Sequence, residues 1–174
     1  MQYFFALGSN PELSQAEIAS VLKRQSMPFE QVLRTTDVLI LDIEAELADD
    51  FIKLLGGTIK FGIIEKTAKQ VSPELLYGLL QPNTDSKFHF GISGYNGFRP
   101  SHKLGLSIKK LLKADGLSVR YVTGKENPLS SVIVEKNKLV SESGQEIVEI
   151  KNKNEFIVGK TLAVQDCEFY SKID

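Results

Sequence analysis

Gln31-Val32-Leu33-Arg34-Thr35-Thr36-Asp37-Val38-Leu39-Ile40-Leu41-Asp42-Ile43-Glu44 is the stretch on which the fold turns. It is strand-like throughout, yet it is more than twice the roughly 5–6 residues of an ordinary strand. Thr35-Thr36-Asp37 is its polar interruption. The run therefore divides there into two paired strands, the second alternating Leu39, Leu41 and Ile43 with Val38, Ile40 and Asp42. Upstream, Tyr3-Phe4-Phe5-Ala6-Leu7 is a strand that stops at the turn signal Gly8-Ser9-Asn10-Pro11. Ser14 and Glu17 have capping-box spacing, with Leu13 and Ile18 placed as a hydrophobic staple, and Ile18, Val21 and Leu22 form the buried stripe of the helix they open. Downstream, residues 46–55 predict a second helix burying Leu47, Phe51, Leu54 and Leu55, capped by Gly56-Gly57. A strand over 59–64 follows.

Strand, helix, two strands, helix, strand is the order of a split β-α-β, ferredoxin-like α/β sandwich. The expected class is α+β, with this first domain over residues 1–70. Residues 68–72 are the expected boundary, because Ser72-Pro73-Glu74 is a fresh helix start with Pro at the first helical position. In the second domain, residues 71–174, the helix over 73–80 precedes a strand in which Phe88, Phe90 and Ile92 alternate with Lys87, His89 and Gly91. Gly94, Asn96, Gly97 and Pro100 mark a loop. A helix over 103–114 carries Leu104, Ile108, Leu111 and Leu112 on one side and Lys103, Lys109, Lys110 and Lys113 on the other. Further strands are expected over 118–123, 132–135, 146–150, 156–158 and 160–165.

Composition excludes several classes. With 42% hydrophobic and 25% charged residues the chain is neither disordered nor fibrous. No stretch approaches the roughly 20 apolar residues of a membrane helix, and Met1-Gln2-Tyr3 enters a strand without a basic leader. The single Cys167 rules out an internal disulfide and reads as a small core or interface residue of a cytoplasmic protein.

The net charge of −1 conceals an asymmetry. From Lys87 to Lys125 the basic residues are Lys87, Arg99, Lys103, Lys109, Lys110, Lys113, Arg120 and Lys125, joined by His89 and His102, against the single acid Asp115. A lysine-rich helix face is ordinarily just solvated. Here Arg99, His102 and Arg120 add to it without balancing acids, and Leu106 interrupts the lysine sector. That pattern points to a polyanion. The loop Gly94-Tyr95-Asn96-Gly97-Phe98-Arg99 adds aromatic rings of the kind that stack on bases. Neither G-x-G-x-x-G nor a P-loop is present. Asp42 and Glu44, two apart on an expected strand, are the pair that a small magnesium-dependent phosphotransferase would need. Ala6-Leu7-Gly8-Ser9-Asn10 is similar to the start of the pterin pyrophosphokinases, but the rest of that signature is missing.

Three phrases in order carry a resemblance over nearly the whole chain: Ala6-Leu7-Gly8-Ser9-Asn10-Pro11-Glu12-Leu13-Ser14 with Ala16-Glu17-Ile18, then Leu129-Ser130-Ser131-Val132-Ile133-Val134-Glu135-Lys136-Asn137, then Gly159-Lys160-Thr161-Leu162-Ala163-Val164-Gln165-Asp166 with Tyr170-Ser171-Lys172. In these the sequence resembles the N-terminal region of the THUMP-containing tRNA guanosine-N2 methyltransferases. The resemblance implies a ferredoxin-like domain followed by a THUMP domain that grips the single-stranded 3′ end and acceptor stem of tRNA. It assigns Lys103, Lys109, Lys110, Lys113, Arg99, Arg120 and Lys125 to phosphates, and Asn127, Ser130 and Ser131 to hydrogen bonds with the strand end.

The family's S-adenosylmethionine loop and its Asn/Asp-Pro-Pro-Phe/Tyr motif are missing from these residues. The expectation is therefore an RNA-binding piece with no catalytic residues, cofactor or metal of its own. Its methyltransferase domain would lie beyond Asp174 in cis, or act as a partner in trans. A domain that docks on an RNA-modifying enzyme is the competing reading.

Overall fold

The computed structural model describes residues 1–83 and 85–166. The chain is mixed α/β, its strand pairs mostly antiparallel, and it separates into two compact units. Among the described residues, 1–64 and 162–166 form the first, and Glu65–Thr161 the second. The division falls inside two strands, β4 (Thr58–Ala68) and β9 (Glu155–Val164), and not in the linker expected at 68–72. β4 thus outruns its expected end by four residues.

The first unit begins with β1 (Gln2–Leu7) and α1 (Pro11–Arg24). Asn10, not Ser14, caps α1: its Oδ1 accepts from Leu13 N at 3.2 Å, and Pro11 fills the first helical position, where no N–H is needed. The two residues of the expected capping box reach across the unit. Ser14 Oγ donates to Gly57 O at 2.7 Å, and the Glu17 carboxylate accepts from Gly56 N at 2.8 Å and Gly57 N at 2.9 Å. Leu13 is exposed, so the staple does not form, whereas Ile18, Val21 and Leu22 are buried as the periodicity requires.

β2 (Phe29–Arg34) and β3 (Val38–Ile43) pair antiparallel on either side of the Thr35 turn, in which Thr35 Oγ1 accepts from Val38 N at 2.9 Å. The sheet order is β2-β3-β1-β4, all antiparallel, so β3 lies between the two strands that α1 connects. The expected helix over 46–55 is a 3-10 helix, Asp49–Leu54. Phe51 and Ile52 turn inward, while Leu54 is 44% exposed. Leu47 and Leu55 are buried on either side of this helix. Gly56-Gly57, expected as its cap, serves instead as the double amide donor to Glu17.

The second unit contains α2 (Pro73–Leu79), β5 (Phe88–Tyr95), α3 (His102–Ala114), β6 (Val119–Tyr121), α4 (Ser131–Lys136), β7 (Val140–Ser141) and β8 (Gly144–Asn152), followed by β9. Its strand order is β9-β8-β5-β6, with β7 on β8. β5 is parallel to both β6 and β8, and the other pairings are antiparallel.

Four expectations change here. Residues 132–135 are helix, not strand: Ser130 Oγ caps Ile133 N and Val134 is fully buried, so capping and packing override the strand preference of three β-branched residues. Gly94 lies within β5, paired with Glu149, and must be glycine because any Cβ there would stand 2.2 Å from Phe98 O. The two strands expected over 156–158 and 160–165 are one, β9 (Glu155–Val164), since Gly159 pairs with Val148 and does not break the ladder. Finally, β6 is three residues long, a short edge. Cys167 and Tyr170-Ser171-Lys172 lie outside the described residues.

Candidate nucleic-acid interface

Parallel strands joined by helices leave their carboxyl ends open as a crevice, most of all where the chain turns to opposite sides of one strand. β5 is such a strand. The chain passes through α3 to β6 on one side and through α4 to β8 on the other. The two helical segments cover opposite faces. Ile108 and Leu112 of α3 pack with Phe90 and Ile92, whereas a Cβ on Gly91 would point at Leu129 and Leu139, which flank α4.

At this carboxyl end lies a cleft of about 130 Å³ lined by Arg99, His102, Tyr121, Thr123, Glu126 and Asn127, among others. Tyr121 is its fixed wall. Its ring lies flat on the α3 backbone, so a Cβ on Gly105 would fall 1.6 Å from Tyr121 Cε2. Phe90 meets it edge-on at 5.1 Å and His102 at 5.5 Å. Only a glycine at the second turn of α3 permits this arrangement.

Behind Tyr121 stands a group that sequence reasoning missed. Glu149 of β8 is fully buried, and neither carboxylate oxygen has a hydrogen-bond partner. Burial pushes its pKa up to about 7. Burial and the Glu149 charge together raise the Tyr121 phenol. The nearby Glu146, equally buried, is satisfied by the hydroxyls of Ser93 (2.8 Å) and Thr161. The available sequence signal was Glu149 set between Val148 and Ile150 in the apolar middle of a strand.

The expected ligand residues are not all brought together. Lys103, Lys110 and Lys113 of α3 are exposed and Lys109 is half-buried; none makes an ion pair or hydrogen bond with a described residue. Exposed Leu106 stands among them at 42%. Arg99 joins Lys125 at the cleft mouth, its Nη2 donating to Lys125 O at 3.4 Å. Arg120 is turned away from α3, because Val119 and Tyr121 on either side of it face that helix. Asn127 is committed to the fold: Oδ1 accepts from Gly94 N at 2.8 Å, and Nδ2 donates to Phe98 O at 2.9 Å and Gly94 O at 3.3 Å. Ser130 caps α4 and Ser131 is buried beneath it. Of the histidines, His89 Nδ1 is within 3.1 Å of Asn137 O, away from the cleft.

Charge follows the same division. Residues 65–161 carry fifteen Lys and Arg against ten Asp and Glu, a formal +5, and two of those acids are the buried Glu146 and Glu149. Residues 1–64 carry five against nine, a formal −4. In that unit Asp42 is on β3 and takes the N-terminal ammonium at 3.2 Å, while Glu44 lies beyond the strand, so the two do not share a strand face. Among the described residues no group of three or more His, Cys, Asp or Glu could hold a metal ion, and no helix is long and apolar enough to cross a membrane.

No family model and no curated protein matches the chain. Among solved structures, TrmN from Thermus thermophilus aligns at 12% identity over 93% of this chain and 46% of its own, with a TM-score of 0.49. A predicted N6-adenine-specific DNA methylase from Listeria monocytogenes aligns at 9% identity over 92% of this chain and 40% of its own, with a TM-score of 0.46. A 4-thiouridine synthetase, solved as an RNA complex with bound ATP, aligns at 15% over 92% of this chain and 40% of its own, with a TM-score of 0.42. This chain therefore spans less than half the length of each of these three proteins.

Proposed function

We propose that the chain is an RNA-binding part of a tRNA-modifying protein, its first unit a ferredoxin-like domain and its second a THUMP domain that holds the single-stranded 3′ end and acceptor stem of tRNA. The observation that carries the reading is the unpaired basic face of α3 beside an aromatic-walled cleft at the carboxyl ends of β5 and β6. Lysines without carboxylate partners keep their full charge for phosphates, and release of the counterions those phosphates hold drives association.

Lys103, Lys109, Lys110 and Lys113 take the backbone of the strand, with Arg99 and Lys125 at the cleft mouth. Arg120, Ser130 and Ser131 contribute less, given where they point, and Asn127 shapes the cleft by holding Gly94 and Phe98. The sequence resemblance supplies the wider setting, an S-adenosylmethionine-dependent guanosine-N2 methyltransferase domain in cis or a partner enzyme in trans. On this reading the described residues position the RNA and carry out no chemistry.

Fluorescence-polarisation titration tests the proposal with three RNAs: tRNA with an intact 3′ end, the same tRNA without its terminal single strand, and an unrelated duplex of equal length. The expected result is preference for the intact end, weakened by salt, and about tenfold or more lost in the double variant Lys109→Glu with Lys113→Glu. Equal weak binding to all three, indifferent to that variant, would mean that the face serves docking on a protein and not RNA.

A further inference from the structure

The described basic face does not end at the cleft. β8 and β9 are joined by a tight hairpin, Lys151-Asn152-Lys153-Asn154-Glu155, in which Asn152 pairs with Glu155. This hairpin is fastened to the loop that follows β5. Asn96 Nδ2 donates to Lys151 O at 2.8 Å, the rings of Phe98 and Phe156 meet edge-on at 4.8 Å, and Lys151 Nζ stands 5.6 Å above the Phe156 ring. The next residue of that loop is Arg99, at the cleft mouth. Lys151 and Lys153 are therefore held at the same carboxyl end of the sheet as Arg99 and Lys125.

Lys153 is the informative residue. Its φ is +55°, in the left-handed region that glycine or asparagine ordinarily fills in a hairpin turn. A side chain with a Cβ is strained there. The backbone gains nothing from lysine at this position, and the side chain is exposed with no described carboxylate paired to it. By contrast Lys160, further along β9, is occupied by Glu65 at 3.4 Å.

From these observations we infer that the β8–β9 hairpin tip is a second RNA contact, with Lys151 and Lys153 neutralising phosphates of the same strand as it runs past the cleft mouth. The partner is a single-stranded polynucleotide. Two ammonium groups two residues apart in sequence, on a tip braced by an aromatic pair, suit phosphates and no particular base. This inference rests on the RNA-binding reading and extends it to residues outside α3.

The test is the salt dependence of affinity for RNA with an intact single-stranded 3′ end. It compares wild type, Lys153→Gly, Lys151→Gln with Lys153→Gly, and the α3 variant Lys109→Glu with Lys113→Glu. Lys153→Gly relieves the backbone and should leave thermal stability unchanged or raised, so a loss of binding in that variant cannot be a loss of fold. Each phosphate contact removed should lower the logarithmic salt slope by about 0.7, so the double hairpin variant should lose about 1.4. If the α3 variant loses slope and both hairpin variants keep the wild-type value, the hairpin inference falls and the RNA-binding reading stands. If wild type shows no salt-dependent binding, both fall together.

Discussion

The two units use buried and charged groups in opposite ways. In the first, charged and polar side chains are spent on the backbone: Glu17 on two glycine amides, Ser14 on Gly57 O, Asp42 on the chain's own ammonium. In the second, two carboxyls are buried in the sheet, and Glu149 and the α3 lysines have no partner among the described residues. The polar contacts of the first unit support its fold. In the second unit the buried Glu149 carboxyl opposes folding, which is the arrangement expected where charge is kept for a ligand.

The sharpest way to break this contrast is to titrate Glu149. Its folded pKa, about 7, lies above the 4.5 it has when unperturbed. A carboxyl whose pKa is raised by folding contributes fully below the unfolded value, and that contribution is lost as pH rises through the folded one. The unfolded state ionises first. Stability should therefore fall by about 2–3 kcal/mol between pH 5 and pH 8 from this group alone. Glu149→Gln removes the slope, so urea denaturation should show the variant gaining on wild type by that amount as pH rises. Parallel pH profiles would mean that the carboxylate is satisfied in solution and that the second unit stores no such cost.

A smaller effect is expected at Gly105. Glycine there is required by the Tyr121 ring, so Gly105→Ala must push the ring from the cleft wall or α3 from the sheet. The cost should be about 1–3 kcal/mol, as for other overpacked sites, despite alanine's better helix propensity. Displacement of the Tyr121 ring in the variant, seen as a change in its aromatic resonances, should accompany a loss of RNA affinity. A variant more stable than wild type would show that Tyr121 is free to move and is no fixed wall.

Much of the first unit was legible because its signals are periodic. The Thr35-Thr36-Asp37 interruption placed two strands correctly, and Ile18, Val21 and Leu22 marked the buried face of α1. Its errors lay in the 3-10 helix that replaces the expected helix over 46–55, in the length of β4, and in partner choice. Ser14 and Glu17 have the spacing of a capping box, yet spacing cannot reveal that Gly56 and Gly57, some forty residues away, offer the better donors. In the second unit the basic helix was legible from composition, expected over 103–114 and found at His102–Ala114. The cleft was not. It depends on parallel pairing of β5 with β6 and β8, on the ring of Tyr121 lying over Gly105, and on Asn127 reaching back to Gly94; each is a long-range contact without a local pattern. The four residues 132–135 failed for a related reason, since β-branched residues report strand preference and only their burial decides otherwise.

The smallest expected effect tests whether acids of the first unit are purely structural. Glu17→Ala removes the acceptor of two amides and leaves Gly56 N and Gly57 N to water, because the site is partly open to solvent. The loss should be about 1–2 kcal/mol, within the range for hydrogen bonds to a charged group. Salt should change it little, since the contacts are short and the partners are backbone dipoles. On the proposed function, RNA affinity should move, if at all, slightly upward, because the variant removes a negative charge. A loss of RNA affinity comparable to that of Lys109→Glu with Lys113→Glu, at unchanged stability, would reverse the assignment: the acid-rich unit would then take part in recognition, and the division between a structural and a ligand-facing use of charge would not hold.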